Sequence, residues 1–409
     1  MAGYAISGCQ HIVPSLQRYR PSASNGRVFI FLHSIIMIIA PQRYLALDVL
    51  RGLTVALMIV VNTPGDWGSV YAPFLHAEWH GFTVTDLVFP SFLFVVGNAL
   101  AFALGKYEHL GHGAVLAKLC KRSALIFLLG FLLYWFPFIK LDDAGQFAWS
   151  PLSHTRIPGV LQRIAVCYLA AALILHYWKT RGALVFCACA LLGYWAILAT
   201  WGDYSLHGNA PAKLDLILLG DSHLYHGEGI AFDPEGILGT LPAIVNVIAG
   251  YLAGSFLRQT APAKLRSSLA QLAVAGVICV AVALCWNQVF PINKKLWTSS
   301  YVMLGIGLDL LLLALLMFII DVRKITGWTY FFEVFGKNTL FIYLVSEVLV
   351  IIAFTVRIGG GNLYQWLYQQ WFTGWAPARV GSLLFAVSFM LLCWLIAYGM
   401  DKRKIYIKV

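Results

Sequence analysis

The sequence predicts an all-α integral membrane protein with about ten transmembrane helices and both termini in the cytoplasm. Of its 409 residues, 60% are hydrophobic and only 11% are charged, whereas soluble domains carry about 25% charged residues. The apolar segments run close to the ~20 residues that cross ~30 Å of hydrocarbon as a helix. They lack the alternating pattern of an outer-membrane β-barrel. These observations indicate a bundle of membrane-spanning helices.

The spans can be placed in chain order, each to within about three residues. They cover residues 45–62, 86–105, 121–139, 159–178, 183–201, 235–257, 268–288, 300–320, 329–354 and 381–400. Residues 43–409 are therefore predicted to form one transmembrane domain. Residues 1–42 are predicted to be a disordered or interfacial extension, because their apolar stretch is too short to span and no cleavage site follows it. A natural start at Met37 is an alternative.

The distribution of positive charge predicts the orientation. The loops after the even-numbered spans and the C-terminal tail hold fifteen Lys and Arg residues, and the opposite, longer loops hold seven. Because positively charged loops stay in the cytoplasm, the loop between the first two spans is predicted to lie on the outer face. The net charge of +11 is thus explained by membrane topology, and nucleic acid is not an expected partner.

That outer loop carries a polar cluster for which hydrophobic packing gives no reason. Its members are Asn62, Asp66, His76, Glu78, His80 and Asp86. His76 is the sharpest candidate, because a histidine with a pKa near ~6.5 acts as a base or a nucleophile at neutral pH. Asp86 opens the second span, where it either orients a histidine or caps the helix, or does both. Asn62 either caps the first span or donates to an oxyanion.

A metal site is the weaker interpretation of the same loop. Its ligands would be His76, His80 and Asp86; the two histidines are spaced i, i+4, but they lack the Glu pattern of a helical zinc site. The eight cysteines contain no CxxC pair, so neither a disulfide framework nor a zinc site is visible. The sequence therefore predicts chemistry without a metal.

Charged residues also lie within the predicted spans. Asp48 and Arg51 are spaced i, i+3 and can pair on one helix face; the alternative is that Arg51 binds a phosphate or another anion. Further polar residues in the spans are Arg163, Asn246, Asp309, Glu333 and Glu347. Each alone is best explained as an interhelical pair, and together they mark an interior polar path between the two faces.

Seven stretches of the sequence, in order from residue 48 to 343, resemble one known family. They are DVLRG (48–52), VN (61–62), HAEWHGFTVTDLVFP (76–90), RIPGVLQR (156–163), DPEGILGTLP (233–242), LWTSSY (296–301) and FGKNTLFIY (335–343). The chain resembles the transmembrane catalytic region of heparan-α-glucosaminide N-acetyltransferase and its bacterial homologues of the NagX type. The longest of these motifs is the most specific, and the resemblance covers nearly everything after residue 43.

The resemblance implies transfer of the acetyl group of cytoplasmic acetyl-CoA to the amine of a glucosamine on the other side of the membrane. It makes His76 the catalytic histidine and Asn62 the residue that helps to hold the acetyl carbonyl. Acetyl-CoA is too highly charged to diffuse through hydrocarbon, so its nucleotide is expected at the cytoplasmic face. The residues expected to bind it there are Asp48, Arg51, Lys121, Arg122, Lys337 and Asn338.

The acceptor is expected to contact residues at the outer face. The candidates are Trp79, Arg156, Glu235 and Trp297; the commoner use of such tryptophans is interfacial anchoring. The chain lacks the large luminal region of the lysosomal enzyme, so a bacterial inner membrane and free glucosamine or a related amino sugar are expected. An amino-sugar transporter is the alternative function, and a non-enzymatic scaffold is a third. The oligomeric state stays open between a monomer and a homodimer.

Overall fold

The structure, a computed structural model, describes residues 44–107, 110–141 and 147–407, and most of these residues are helical. The predicted extension 1–42 lies outside the described residues. The longer helices are α1 Leu45–Asn62, α2 Val84–Leu104, α3 His112–Trp135, α4 Val160–Trp201, α5 Ala210–Leu219, α6 Ile237–Gln259, α7 Leu265–Trp286, α8 Ser299–Met317, α9 Thr329–Lys337, α10 Thr339–Thr355, α11 Leu363–Phe372 and α12 Ala378–Lys402. Two short antiparallel hairpins pair β1 Ile139–Leu141 with β2 Phe147–Trp149, and β3 Arg357–Ile358 with β4 Gly361–Asn362.

Among the described residues, seven helices are long and apolar enough to cross a membrane. The number rises to eight if α9 and α10, which are bent by 84° at Asn338, count as one broken span. The 42-residue helix α4 contains two of the predicted spans, and a non-helical Lys179 with φ of 57° separates them. The predicted all-α class with apolar membrane helices is confirmed. The count of ten spans stays a prediction.

Helices α2 and α6 pack closely because glycine removes the side chains at their crossing. A Cβ on Gly97 would lie 1.9 Å from the backbone oxygen of Val247, and a Cβ on Gly250 would lie 1.9 Å from that of Phe94. Small residues that let backbones approach are typical of helix contacts in membranes. Other extensive contacts join α7 with α8, α1 with α9, and α4 with both α3 and α6.

Hydrogen bonds at the ends of the helices mark the two ends of the bundle. At one end, called the His76 end below, the Gly81 N–H donates to the Ile292 carbonyl at 2.8 Å, and the Gly65 N–H donates to the Ser382 carbonyl at 3.2 Å. At the opposite end, the Tyr44 hydroxyl donates to the Leu257 carbonyl at 3.0 Å. The C-terminal residues 403–407 also lie there, next to Asn338. Both ends of the described chain therefore lie on the side away from His76.

Candidate active site

His76 and Asp86 form a hydrogen-bonded pair at the start of α2. The Nδ1 atom of His76 lies 2.6 Å from Oδ1 of Asp86. The other carboxylate oxygen accepts the backbone N–H groups of Ala77 at 3.1 Å and Thr83 at 2.9 Å. Asp86 thus caps α2 and orients the histidine at once, as the capping-box pattern permits. A carboxylate only accepts, so the proton of a neutral imidazole lies on Nδ1 and the lone pair on Nε2.

A proline explains how α8 supports this pair. Pro90 has no N–H, so the carbonyl of Asp86, four residues earlier, has no helical partner. The hydroxyl of Tyr301 donates to that carbonyl at 2.7 Å. Tyr301 is fully buried. Sequence analysis missed Tyr301 as a supporting residue, although it lies in the LWTSSY motif and Pro90 signals the vacant carbonyl.

The surroundings of His76 favour its neutral form. Burial lowers the pKa of His76, and the nearby positive charge of Lys294 lowers it further. The hydrogen bond to Asp86 and the charge of Glu235 act in the opposite direction and are outweighed. The side chain keeps 42% of its surface exposed, whereas that of Asp86 keeps 1%. His76 therefore combines an accessible ring with a neutral base at neutral pH.

Lys295 and Trp79 fasten the loop that carries His76. The Lys295 ammonium donates to the Glu78 carbonyl at 2.8 Å and to the Glu228 carboxylate at 2.7 Å. The indole N–H of Trp79 donates to the Tyr204 carbonyl at 2.7 Å, and its ring packs on Phe232 at 5.6 Å between centroids. Trp79, predicted to stack on a sugar, is thus half-buried and engaged in holding the loop.

Arg156 is clamped between two carboxylates. Its guanidinium makes a bidentate contact with Asp233 at 2.8 and 2.7 Å and a third contact with Glu235 at 2.6 Å. It also lies over the rings of Tyr134 and Tyr225, 4.9 Å from each centroid. Predicted to contact substrate, Arg156 has its hydrogen-bonding directions largely occupied by protein groups. Its evident effect is to hold Asp233 and Glu235 in place.

The surroundings stabilise the charged forms of Arg156 and Glu235. Burial by itself opposes the charge of Arg156, but the hydrogen bond to Asp233 and the charge of Glu235 raise the pKa of Arg156. Burial would raise the pKa of Glu235, but the charges of Arg156 and Lys294 outweigh burial and lower it. Glu235 is therefore held as a carboxylate within electrostatic reach of His76.

Asn62 ends α1 at the His76 end and is exposed. Its side-chain amide lies close to the carboxyl group of Glu347 on α10. The third catalytic candidate is thus at the same end of the bundle as His76 and Asp86. The contact with Glu347 joins α1 to α10, two elements far apart in the sequence.

Trp297 lies in the core rather than on a surface. Its side chain is fully buried, and its N–H donates to the Asn246 side chain at 3.3 Å. Its ring stacks edge-on against Phe89 at 4.9 Å, and the Arg163 guanidinium lies 4.8 Å from its centroid. A ring enclosed in this way supports the packing behind Tyr301 and does not reach a ligand from solvent in this conformation.

Four of the six residues predicted to bind acetyl-CoA meet at the opposite end. Arg51 contacts Asp48 at 3.1 Å and the Gly336 carbonyl at 3.2 Å. Lys337 pairs with Asp401 at 2.9 Å, and the Asn338 amide bonds to the backbone of residues 405 and 407. The structure therefore brings α1, α9 and the end of the chain together around these side chains.

The other two residues predicted to bind acetyl-CoA lie elsewhere. Lys121 is exposed on α3, and Arg122 lies over the ring of Tyr168 at 5.0 Å. Within the part of the chain that the structure describes, no group of three or more His, Cys, Asp or Glu residues could hold a metal ion.

Comparison with known proteins gives the family. The sequence family defined by the catalytic region of heparan-α-glucosaminide N-acetyltransferase matches residues 43–284. The mouse protein named heparan-α-glucosaminide N-acetyltransferase is 28% identical, over 90% of this chain and 61% of its own length. The human protein of that name is 30% identical, over 75% of this chain and 53% of its own length. The chain thus spans between half and two thirds of these relatives. It belongs to the heparan-α-glucosaminide N-acetyltransferase family.

Proposed function

We propose that this chain is a membrane acetyltransferase that moves an acetyl group from acetyl-CoA to the amine of glucosamine or a related amino sugar. The observation that carries the proposal is the His76–Asp86 pair, in which Nδ1 is engaged and Nε2 is left for chemistry. This pair lies in the residues that match the catalytic model of the family. The relatives are named as acetyltransferases, so the transporter alternative gains no support from them.

The chemistry divides between two residues at the His76 end. Nε2 of His76 either accepts a proton from the attacking amine or attacks the thioester itself and carries the acetyl group. Asn62 donates from its amide to the oxyanion that forms on the acetyl carbonyl. Asp86 keeps the histidine in the tautomer that both routes require.

The two ends of the bundle suit the two substrates. Arg51 and Lys337 supply positive charge at the end away from His76, where the phosphates of acetyl-CoA would bind. Glu235 supplies negative charge near His76, where it attracts a sugar ammonium. With the Lys and Arg bias of the loops, the first end is assigned to the cytoplasm and the His76 end to the outer face. The acetyl group then crosses the membrane while the nucleotide does not.

An assay with labelled acetyl-CoA and glucosamine tests the proposal. The purified protein in detergent should place label on the sugar, and His76→Ala should abolish this transfer. Asn62→Ala should slow it by roughly 10²-fold, the usual effect of losing one oxyanion donor. His80→Ala is the matched control, because it removes a histidine from the same loop and should leave the rate within a few-fold. Equal transfer by wild type and His76→Ala would refute the assignment.

Orientation has a separate test. Glu78→Cys, in a background without native cysteines, should react with an impermeant thiol reagent added outside intact cells, because Glu78 is exposed next to His76. Labelling that occurs only after lysis would reverse the proposed orientation and leave the acetyltransferase proposal unaffected.

A further inference from the structure

The proposed reaction requires two bases, because its acceptor enters as an ammonium ion. An ammonium and a thioester give an amide, a thiol and one released proton. The nitrogen therefore loses two protons, one to expose its lone pair and one as the amide forms. The leaving thiolate takes up only one of them. His76 can carry one proton from the nitrogen to the sulfur, so the other proton needs a second acceptor.

Three buried carboxylates at the His76 end already have cationic or hydrogen-bonding partners. Asp86 is occupied by His76 and by two backbone N–H groups. Asp233 is held bidentately by Arg156, and Glu235 contacts the same guanidinium at 2.6 Å. Arg156 and Lys294 lower the pKa of Glu235. A carboxylate stabilised by two cations is a poor base at neutral pH.

Glu347 differs from these three. It is partly buried on α10, and no ion pair within the described residues joins it to a cation. The polar group beside it is the neutral amide of Asn62. A buried carboxylate with a neutral partner takes up a proton more readily than one held between cations, and it gains an ion pair when an ammonium approaches.

Glu347 lies beside Asn62, one of the two residues proposed to act on the acetyl group. Helix α10 packs against α1 and α3, and the contact with Asn62 puts Glu347 next to the proposed oxyanion donor. Tyr134 lies within electrostatic reach of both Glu347 and Glu235, and its hydroxyl accepts from Arg156 at 3.2 Å. Glu347 therefore belongs to the same polar region as Glu235.

We propose that Glu347 binds the ammonium of the acceptor and takes its first proton, which leaves His76 to take the second. An N–H bond of the ammonium breaks, and its proton passes to the carboxylate of Glu347. The freed lone pair forms the C–N bond at the acetyl carbon. His76 takes the second nitrogen proton and gives it to the thiolate as the C–S bond breaks. Glu347 then releases its proton to water. The inference rests on the proposed function, and the overall proton count is the same if His76 first carries the acetyl group.

Glu347→Gln tests this role because it keeps the shape of the side chain and removes the base. With glucosamine at pH 7, kcat/KM should fall by about 10²-fold or more. Activity should recover as the pH is raised, because the amine then arrives already neutral. With an aminooxy analogue of glucosamine, whose nitrogen is neutral at pH 7, kcat/KM of Glu347→Gln should fall less than about threefold, because no first proton has to be removed. Glu347→Asp should keep most of the wild-type pH profile.

The control is Glu333→Gln, which alters a glutamate on the neighbouring helix α9 that bonds to Thr329 at 3.0 Å. It should leave the pH profile unchanged. Equal losses by Glu347→Gln with both acceptors at every pH would indicate a structural role and overturn the inference. Full activity of Glu347→Gln at pH 7 would also overturn it. If the wild type acetylates neither acceptor, the proposed function fails, and the inference fails with it.

Discussion

Replacing Asp86 by Asn should cost activity mainly by changing the tautomer of His76. The carboxylate accepts from His76 through one oxygen and from Ala77 and Thr83 through the other, at 2.6, 3.1 and 2.9 Å. An Asn has one oxygen and one NH2 group. If the NH2 group faces His76, Nδ1 must become the acceptor and Nε2 carries the proton. If the NH2 group instead faces the backbone N–H groups of Ala77 and Thr83, three donors meet and none of them has an acceptor.

The size of the effect follows from these contacts. Loss of the correct tautomer in a histidine–aspartate pair costs up to about 10⁴-fold in rate, and each tenfold step corresponds to about 1.4 kcal/mol. Because His76 keeps 42% of its side chain exposed and its ring can reorient, we expect a loss of roughly 10²- to 10⁴-fold for Asp86→Asn. Stability should fall by about 1–3 kcal/mol, since a buried hydrogen-bonding group loses its partner.

The assay is the rate of glucosamine acetylation at saturating acetyl-CoA, with a thermal melt of each detergent-purified variant. Thr83→Ala is the matched control, because it removes the threonine hydroxyl near Asp86 at 3.1 Å and leaves the carboxylate in place. It should lower stability by about 1 kcal/mol and reduce the rate by less than tenfold. Equal rate losses in the two variants would refute the tautomer argument, as would near wild-type turnover by Asp86→Asn.

Three further predictions follow from the charged groups. Lys294 lowers the pKa of His76, so Lys294→Gln should raise that pKa and move the acid limb of the pH–rate profile to higher pH; an unmoved limb would contradict this. Arg156→Met leaves Asp233 and Glu235 without their cation, so the melting curve should show a loss of about 3 kcal/mol, whereas Arg156→Lys should lose less. Arg51→Gln should raise the KM for acetyl-CoA roughly tenfold with a smaller change in kcat, and an unchanged KM would exclude Arg51 from that site.

Contacts between site residues that lie close together in the sequence could be predicted from the sequence. His76 and Asp86 are ten positions apart, and the start of a predicted span falls on the aspartate. A role for Asp86 in capping that helix and orienting the histidine could therefore be predicted. The pairing of Asp48 with Arg51 follows from i, i+3 spacing on a helix. Such contacts depend on local geometry that the chain imposes within a few turns.

Contacts between distant segments could not be predicted in the same way. The Tyr301 hydroxyl reaches the Asp86 carbonyl across 215 positions, and Arg156 reaches Asp233 across 77. Trp79 and Trp297 were expected to face a sugar, but aromatic composition alone does not say which rings become packed. The structure places one ring in a loop anchor and the other in the core.

The sequence by itself determined the class of this protein and singled out His76 as its proposed catalytic residue. Apolar segments of membrane length allow little besides helices, because every backbone polar group must be satisfied within the segment. A histidine and an aspartate close in sequence at a helix start were enough to single out His76. Only the tertiary structure decided that Asp233 and Glu235 pair with Arg156 and that no ion pair within the described residues joins Glu347 to a cation. That outcome depends on how α1, α4, α6 and α10 pack, and it separates Glu347 from Glu235.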